Sequence, residues 1–217
     1  MPVDEKAFFE LSKELQSKHV TLVAVSKTKP VAEISSLYNL GQRDFGENYV
    51  QELAEKQNQL PSDIHWHFIG HLQSNKVKSI IPFVHLIHGV DSLKLLKEIS
   101  KQASKIGREI NCLLQMHIAE EETKFGFDEK ELAQAMKEVE GGGFSRIKVR
   151  GLMGMASFSD DLDKVRSEFR RLKKIYADHA GGEFNVLSMG MSGDYKIAIE
   201  EGSNMVRIGS LLFGARY

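Results

Sequence analysis

Apolar residues along this chain alternate between two rhythms: short unbroken runs, and longer stretches in which they return every third or fourth position. The first rhythm marks strands buried on both faces, and the second marks amphipathic helices. Residues 4–17 open with the helical rhythm, Phe8, Phe9, Leu11 and Leu15 falling on one face. Residues 20–25 form the first apolar run. Extended through Lys27, it places Thr21, Val23, Val25 and Lys27 on one face and Leu22, Ala24 and Ser26 on the other. Pro30 then opens a helix over 31–40, which Gly41 closes. The same reading predicts strands at 43–48, 65–70, 83–88, 110–118, 147–155, 184–187 and 205–208. Helices fill the intervals at 49–59, 75–81, behind a cap at Asp91 or Ser92, around Leu132, Ala135, Met136 and Val139, at 162–179 and at 195–200.

Strands alternating with helices, without a break in composition, predict an α/β protein built as one (β/α)8 barrel of the TIM type, with an extra N-terminal helix and an abbreviated last helix. A doubly wound sheet would carry a Gly-rich turn after its first strand, and none follows Val25. The 217 residues sit at the lower end of the roughly 200–250 such a barrel takes, so 1–217 is expected to be a single domain. A net charge of −1 provides no field to gather nucleic acid or an anionic membrane, and neither is expected as a partner. No apolar run reaches membrane-spanning length and the first ten residues are acidic and polar, which points to the cytoplasm. The lone cysteine, Cys112, excludes an internal disulfide and reads as a buried structural thiol.

In barrels of this kind the chemistry gathers at the C-terminal ends of the strands. Lys27 lies at such an end, where a desolvated amine becomes a nucleophile toward carbonyl carbon; a lysine that snorkels to solvent fits the same stretch. Gly and Ser cluster at 188–194 and at 209–210, after the predicted seventh and eighth strands, where barrels often bind phosphate. Ser192 is expected to cap the next helix and hold a phosphate oxygen, with Gly209 and Ser210 opposite, although ordinary turns use the same residues. Arg207 shares a face with Met205 and Gly209, and an inward arginine asks for an anion or a ring nitrogen as its partner. Together these groups describe pyridoxal 5'-phosphate, with its aldehyde toward Lys27, its phosphate at Ser192, Gly209 and Ser210, and its pyridine nitrogen toward Arg207. An always-charged arginine keeps that nitrogen unprotonated and the ring a weak electron sink.

A metal-dependent barrel hydrolase is a different reading of the same chain. His65 and His67 share a strand face, and His85, His88 and His117 lie nearby. No acidic residue at a strand end completes the set, so no metal is expected and the histidines read as packing or hydrogen-bonding groups.

Longer motifs then carry a resemblance. Residues 24–30 (AVSKTKP), 45–52 (FGENYVQE), 66–76 (WHFIGHLQSNK), 124–126 (KFG), 151–155 (GLMGM), 187–192 (LSMGMS), 206–210 (VRIGS) and 213–216 (FGAR) occur in this order along nearly the whole chain. In them the chain resembles the pyridoxal phosphate homeostasis protein family, single barrels related to the N-terminal domain of alanine racemase. The resemblance implies that Lys27 carries the coenzyme as an internal aldimine. It further implies that Asn48 and Met155 line the ring, that Ser192, Gly209 and Ser210 hold the phosphate, and that Arg207 meets the pyridine nitrogen. An acidic run, Glu120 to Glu122, precedes the 124–126 motif and has no reading.

The resemblance also implies a coenzyme carrier without established turnover, so no catalytic residue is assigned. Related racemases bring a second base from a further C-terminal domain, and this chain ends at Tyr217, just past its eighth strand. A coenzyme-binding and delivery protein is therefore expected, with amino acids as exchange partners. A weak pyridoxal phosphate-dependent racemase or lyase is the alternative. Coenzyme-dependent client enzymes are a further partner class, although no apolar stripe or basic arm marks a face for them. A monomer is expected.

Overall fold

Eight short strands, most of them largely apolar, alternating with helices give a chain of this length one simple solution: a closed cylinder inside a ring of helices. The computed structural model, which describes residues 3–119 and 125–214, has that form. Strands β1 (Thr21–Val25), β2 (Asp44–Glu47), β3 (His65–Phe68), β4 (Leu86–Val90), β5 (Ile110–Met116), β6 (Ile147–Gly154), β7 (Val186–Met191) and β8 (Met205–Ile208) close in sequence order. All neighbours run parallel, and β1 pairs with β8 from Thr21↔Met205 to Ala24↔Ile208.

Helices α1 (Glu5–Ser17), α2 (Val31–Asn39), α3 (Val50–Gln57), α4 (Val77–Ile80), α5 (Leu93–Ile106), α6 (Glu129–Glu140), α7 (Leu162–Ala177), α8 (Tyr195–Glu200) and α9 (Ser210–Phe213) surround it. Their starts follow from the chain: Asp4, Ser92, Asp128 and Asp161 each cap the helix they precede, Asp128 in a full capping box with Glu131. The last helix is a single turn. The extra helix α1 packs on β1 and α9, burying Phe8, Leu11 and Leu15 beside the seam where the barrel closes.

Most buried apolar side chains lie between strands and helices. Inside the barrel a smaller cluster, Val23, Leu86, Leu113, Met153 and Met205, fills the middle. Every predicted strand but the eighth shifts at one bound or both, and three of the shifts bear on the site. The first ends at Val25, two residues short of Lys27. The fourth starts at Leu86 because Pro82 cannot donate to a ladder and the amides of Phe83 and Val84 turn back onto Ile80. The seventh begins at Val186 and runs through Ser188 and Gly190 to Met191, residues whose composition reads as loop. The Glu120–Glu122 run and Lys124 lie outside the described residues.

Candidate active site at the barrel mouth

The lysine predicted to carry the chemistry sits in a tight turn after β1. Thr28, next to it, adopts a left-handed φ of 63°, unusual for a β-branched residue, and the amide of Lys29 donates to Ser26 O (3.0 Å). This turn is clamped from β2 and α3. The Ser26 hydroxyl donates to Glu47 Oε1 (2.6 Å), Lys56 Nζ donates to Ser26 O (2.8 Å), and the Thr28 amide donates to Glu52 Oε1 (2.6 Å). Lys56 Nζ also reaches Glu47 Oε1 (2.7 Å) and Glu52 Oε1 (2.6 Å), so one buried ammonium ties the three together. Burial pushes the Glu47 carboxyl above its ordinary value, against the pull of Lys56 and Ser26.

Arg207 projects into the barrel from β8, as the face pattern predicts, and is 4% exposed. Its Nη1 donates to Ser188 O (2.9 Å) and Ser188 Oγ (2.7 Å), and its Nη2 donates to Gly154 O (3.1 Å). Burial pushes its pKa down to about 10, which leaves it cationic at neutral pH. Ser192 does not cap α8: Asp194 stands at that position, and Ser192 Oγ instead accepts from the Gly209 amide (3.2 Å). That bond joins the turn after β7 to the turn after β8 and leaves the Ser192 hydroxyl hydrogen to donate elsewhere. Asn48 follows β2, and Gly70 lets β3 pass beside it: a Cβ at Gly70 would lie 2.3 Å from Asn48 O. The Oδ1 of Asn48 is buried without a hydrogen-bond partner.

Lys27, Asn48, Met155, Ser192, Arg207, Gly209 and Ser210 all line one cavity of about 370 Å³ at the barrel mouth. Val25, Ile69, Phe158 and Met191 add an apolar wall that residue patterns did not single out. Phe158 stands fully exposed on the rim. A primary amine, a guanidinium, a hydroxyl between two glycine-bearing turns and a flat apolar wall fit a small aromatic aldehyde carrying an anionic group. The orphaned Asn48 oxygen fits a donor on such a ligand.

A second polar feature went unread in the chain. From Ser188, a seam of hydrogen bonds crosses the barrel interior: Ser188 Oγ to His88 Nδ1 (3.1 Å), His88 Nε2 to His67 Nδ1 (2.9 Å), and His67 Nε2 to Asp44 Oδ1 (2.9 Å). Burial works against charge on Asp44, yet its bonds and charge contacts with His67 and His65 hold the carboxyl below its usual range. Burial keeps His88 neutral, its pKa well below the ordinary value. With a single His67 ring proton on Nε2 toward Asp44, each group donates to the next from Arg207 to Asp44. Asp44 also corrects the expectation that no acidic residue at a strand end joins these histidines: it is the first residue of β2. His117, by contrast, follows β5 and has no part in the seam.

Residues 3–217 match the model of the family described as alanine racemase, N-terminal domain. The chain is 42% identical over 203 residues to the pyridoxal phosphate homeostasis protein of Aquifex aeolicus, covering 90% of this chain and 86% of that one. It is 40% identical over 201 residues to the protein of the same name from Pseudomonas aeruginosa, covering 91% and 85%. Among solved structures it is similar to PipY of Synechococcus elongatus without PLP, with a TM-score of 0.88 and 34% identity over 96% of this chain and 99% of that chain. PipY with PLP bound gives a TM-score of 0.84. Alanine racemase from Bartonella henselae, at 15% identity and a TM-score of 0.72, shares the fold. On sequence and on architecture, this chain belongs to the pyridoxal phosphate homeostasis protein family.

Proposed function

We propose that this chain binds pyridoxal 5'-phosphate at the barrel mouth, holds it through Lys27, and serves in the cytoplasmic balance of that coenzyme without turning over a substrate of its own. The observation that carries this reading is the convergence of Lys27, Arg207 and the Ser192–Gly209 bridge on one cavity. The names of the relatives and the coenzyme in PipY support the choice of ligand.

When bound, the coenzyme supplies an aldehyde that a primary amine captures reversibly, and a pyridine ring whose electron demand follows the charge near its nitrogen. Lys27 provides the amine, presented by a turn that Glu47, Lys56 and Glu52 hold in place. Ser192, Gly209 and Ser210 would hold the phosphate, and Asn48 and Met155 would line the ring. Arg207, fixed by Ser188 and Gly154, would set a cation beside the ring nitrogen and keep a proton off it.

Racemisation between two faces needs a base on each. Among the described residues lining the cavity, Lys27 and Arg207 are the only ionisable ones, and a guanidinium held by carbonyl groups is a poor base. This favours a carrier over a racemase. An open mouth would let an incoming amine reach the coenzyme, with Lys27 regaining its amine as it is displaced.

The test is absorbance of the purified chain before and after borohydride, followed by peptide mapping. A visible chromophore that borohydride abolishes, with the reduced adduct on Lys27, is the expected result. Lys27→Ala loses the chromophore while keeping its far-UV signature. A yellow Lys27→Ala protein would overturn the assignment.

A further inference from the structure

The end of the barrel opposite the coenzyme cavity holds a separate set of ligating groups. There a recess of about 450 Å³ is lined by Asp44, His65, His67 and His85, with Asn111 and Arg150 at its edge. Ligand atoms of Asp44, His67 and His85 lie within 4.8 Å of one another. Bonds of about 2.0–2.1 Å to a tetrahedral ion would set such atoms about 3.4 Å apart, so a small inward movement completes the site. The movement falls to His85, which is exposed, while His67 Nε2 and Asp44 Oδ1 are already 2.9 Å apart. His65 lies beside the three, its Nδ1 3.3 Å from Asp44 Oδ1 and its ring stacked on His85 at 4.5 Å. Arg150, on the edge of the recess, pairs with Glu183 (3.4 Å), and Arg108 is the arginine whose charge reaches His85.

We infer that Asp44, His67 and His85 form a binding site for a divalent transition-metal ion at the far end of the barrel, with His65 beside the open coordination position. Two or three imidazoles and one carboxylate select zinc and its neighbours over the oxygen-seeking magnesium and calcium. His67 carries the mark of a metal-ligating histidine: its other nitrogen is held by a buried partner, His88, at 2.9 Å. With an ion on Nε2, His67 donates from Nδ1 to His88, and His88 donates from Nδ1 to Ser188 Oγ. The seam then runs in the reverse direction, with every ring nitrogen still satisfied. The site shares no residue with the coenzyme cavity and stands or falls independently of the function proposed above.

Calorimetric titration of the full chain with ZnCl2 tests it, alongside the absorbance of bound Co2+ read as a difference spectrum. One ion per chain is expected. His85→Ala and Asp44→Asn should each weaken it by at least about tenfold, the lower bound for losing even an outer partner. Cobalt bands should vanish in His85→Ala while the coenzyme chromophore is retained. Absence of zinc binding in the unaltered chain, or a His85→Ala titration that overlays it, would overturn the site; the second result would assign the ion to the coenzyme or to surface groups. His85 is exposed, so its variant decides the matter even if Asp44→Asn fails to fold.

Discussion

The two ends of this barrel use polar groups in opposite ways. At the mouth, Lys27, Ser192 and Gly209 stand on turns beyond the strands, and the bonds that fix them come from behind, out of α3 and the neighbouring turn. Beside them a buried Asn48 oxygen is left with no hydrogen-bond partner. In the interior and at the far end, Ser188, His88, His67 and Asp44 stand on the strands themselves and bond to one another. The difference separates two demands. A ligand-binding group must be rigid and still face the ligand, so its rigidity comes from a second layer; an interior polar group must be satisfied, and its neighbours in the barrel do both jobs.

Breaking the second layer is therefore the harshest test of the comparison. Lys56→Ala leaves Glu47, fully buried, with Ser26 as its one remaining close partner and removes the tie on the Lys27 turn. We expect a loss of about 3–5 kcal/mol in urea denaturation, the cost of stranding a buried charge. Coenzyme occupancy should fall with it, because Lys27 loses its fixed presentation. Unfolding that matches the unaltered chain would mean that the turn holds itself and the clamp is incidental.

The interior seam should answer differently. His88→Leu keeps most of the volume and removes two hydrogen bonds, leaving His67 Nδ1 and the Ser188 hydroxyl without their partner. A loss of about 1–3 kcal/mol follows from orphaning buried groups of this kind. The Lys27 chromophore should persist, since Arg207 still has Ser188 O and Gly154 O to hold it. A variant that folds but no longer takes up coenzyme would show that the two regions are not separable.

The mouth was legible in the chain and the seam was not, for a physical reason. Arg207 lies within β8, whose period-two alternation fixes its inward face, while Lys27 and the glycine–serine turns follow directly on β1, β7 and β8, so their place in the strand order suffices to bring them to one mouth. Strand β8 was read at its observed bounds, Met205–Ile208, and Arg207 with it. The seam instead joins residues far apart in sequence, 100 positions between His88 and Ser188, and depends on which inward positions share a level across the barrel. Its one local signal was hidden because Ser188 and Gly190 look like loop residues. A serine bonded inside the barrel and a glycine at φ 97° instead continue β7. The apolar rim, Phe158 above all, lies on loops where no periodicity applies.

The mildest probe asks how far α3 relieves the burial of Glu47. Its carboxyl is held above the ordinary value of 4.5, burial being the leading cause and Lys56 the main opposition. A carboxyl whose folded pKa is raised adds stability that is fully present below its unfolded value and lost as pH rises through the folded one. Comparing the unaltered chain with Glu47→Gln, which cannot titrate, the difference in unfolding free energy should therefore shift toward the unaltered chain as pH falls from 7 to below 4.5. The shift should be smaller than the Lys56→Ala loss, because Lys56 offsets much of the burial. Introducing Lys56→Ala into both proteins removes that offset, raises the Glu47 value further and makes the same pH dependence steeper. An unchanged slope would mean that the ammonium holds the turn in place without relieving the carboxylate.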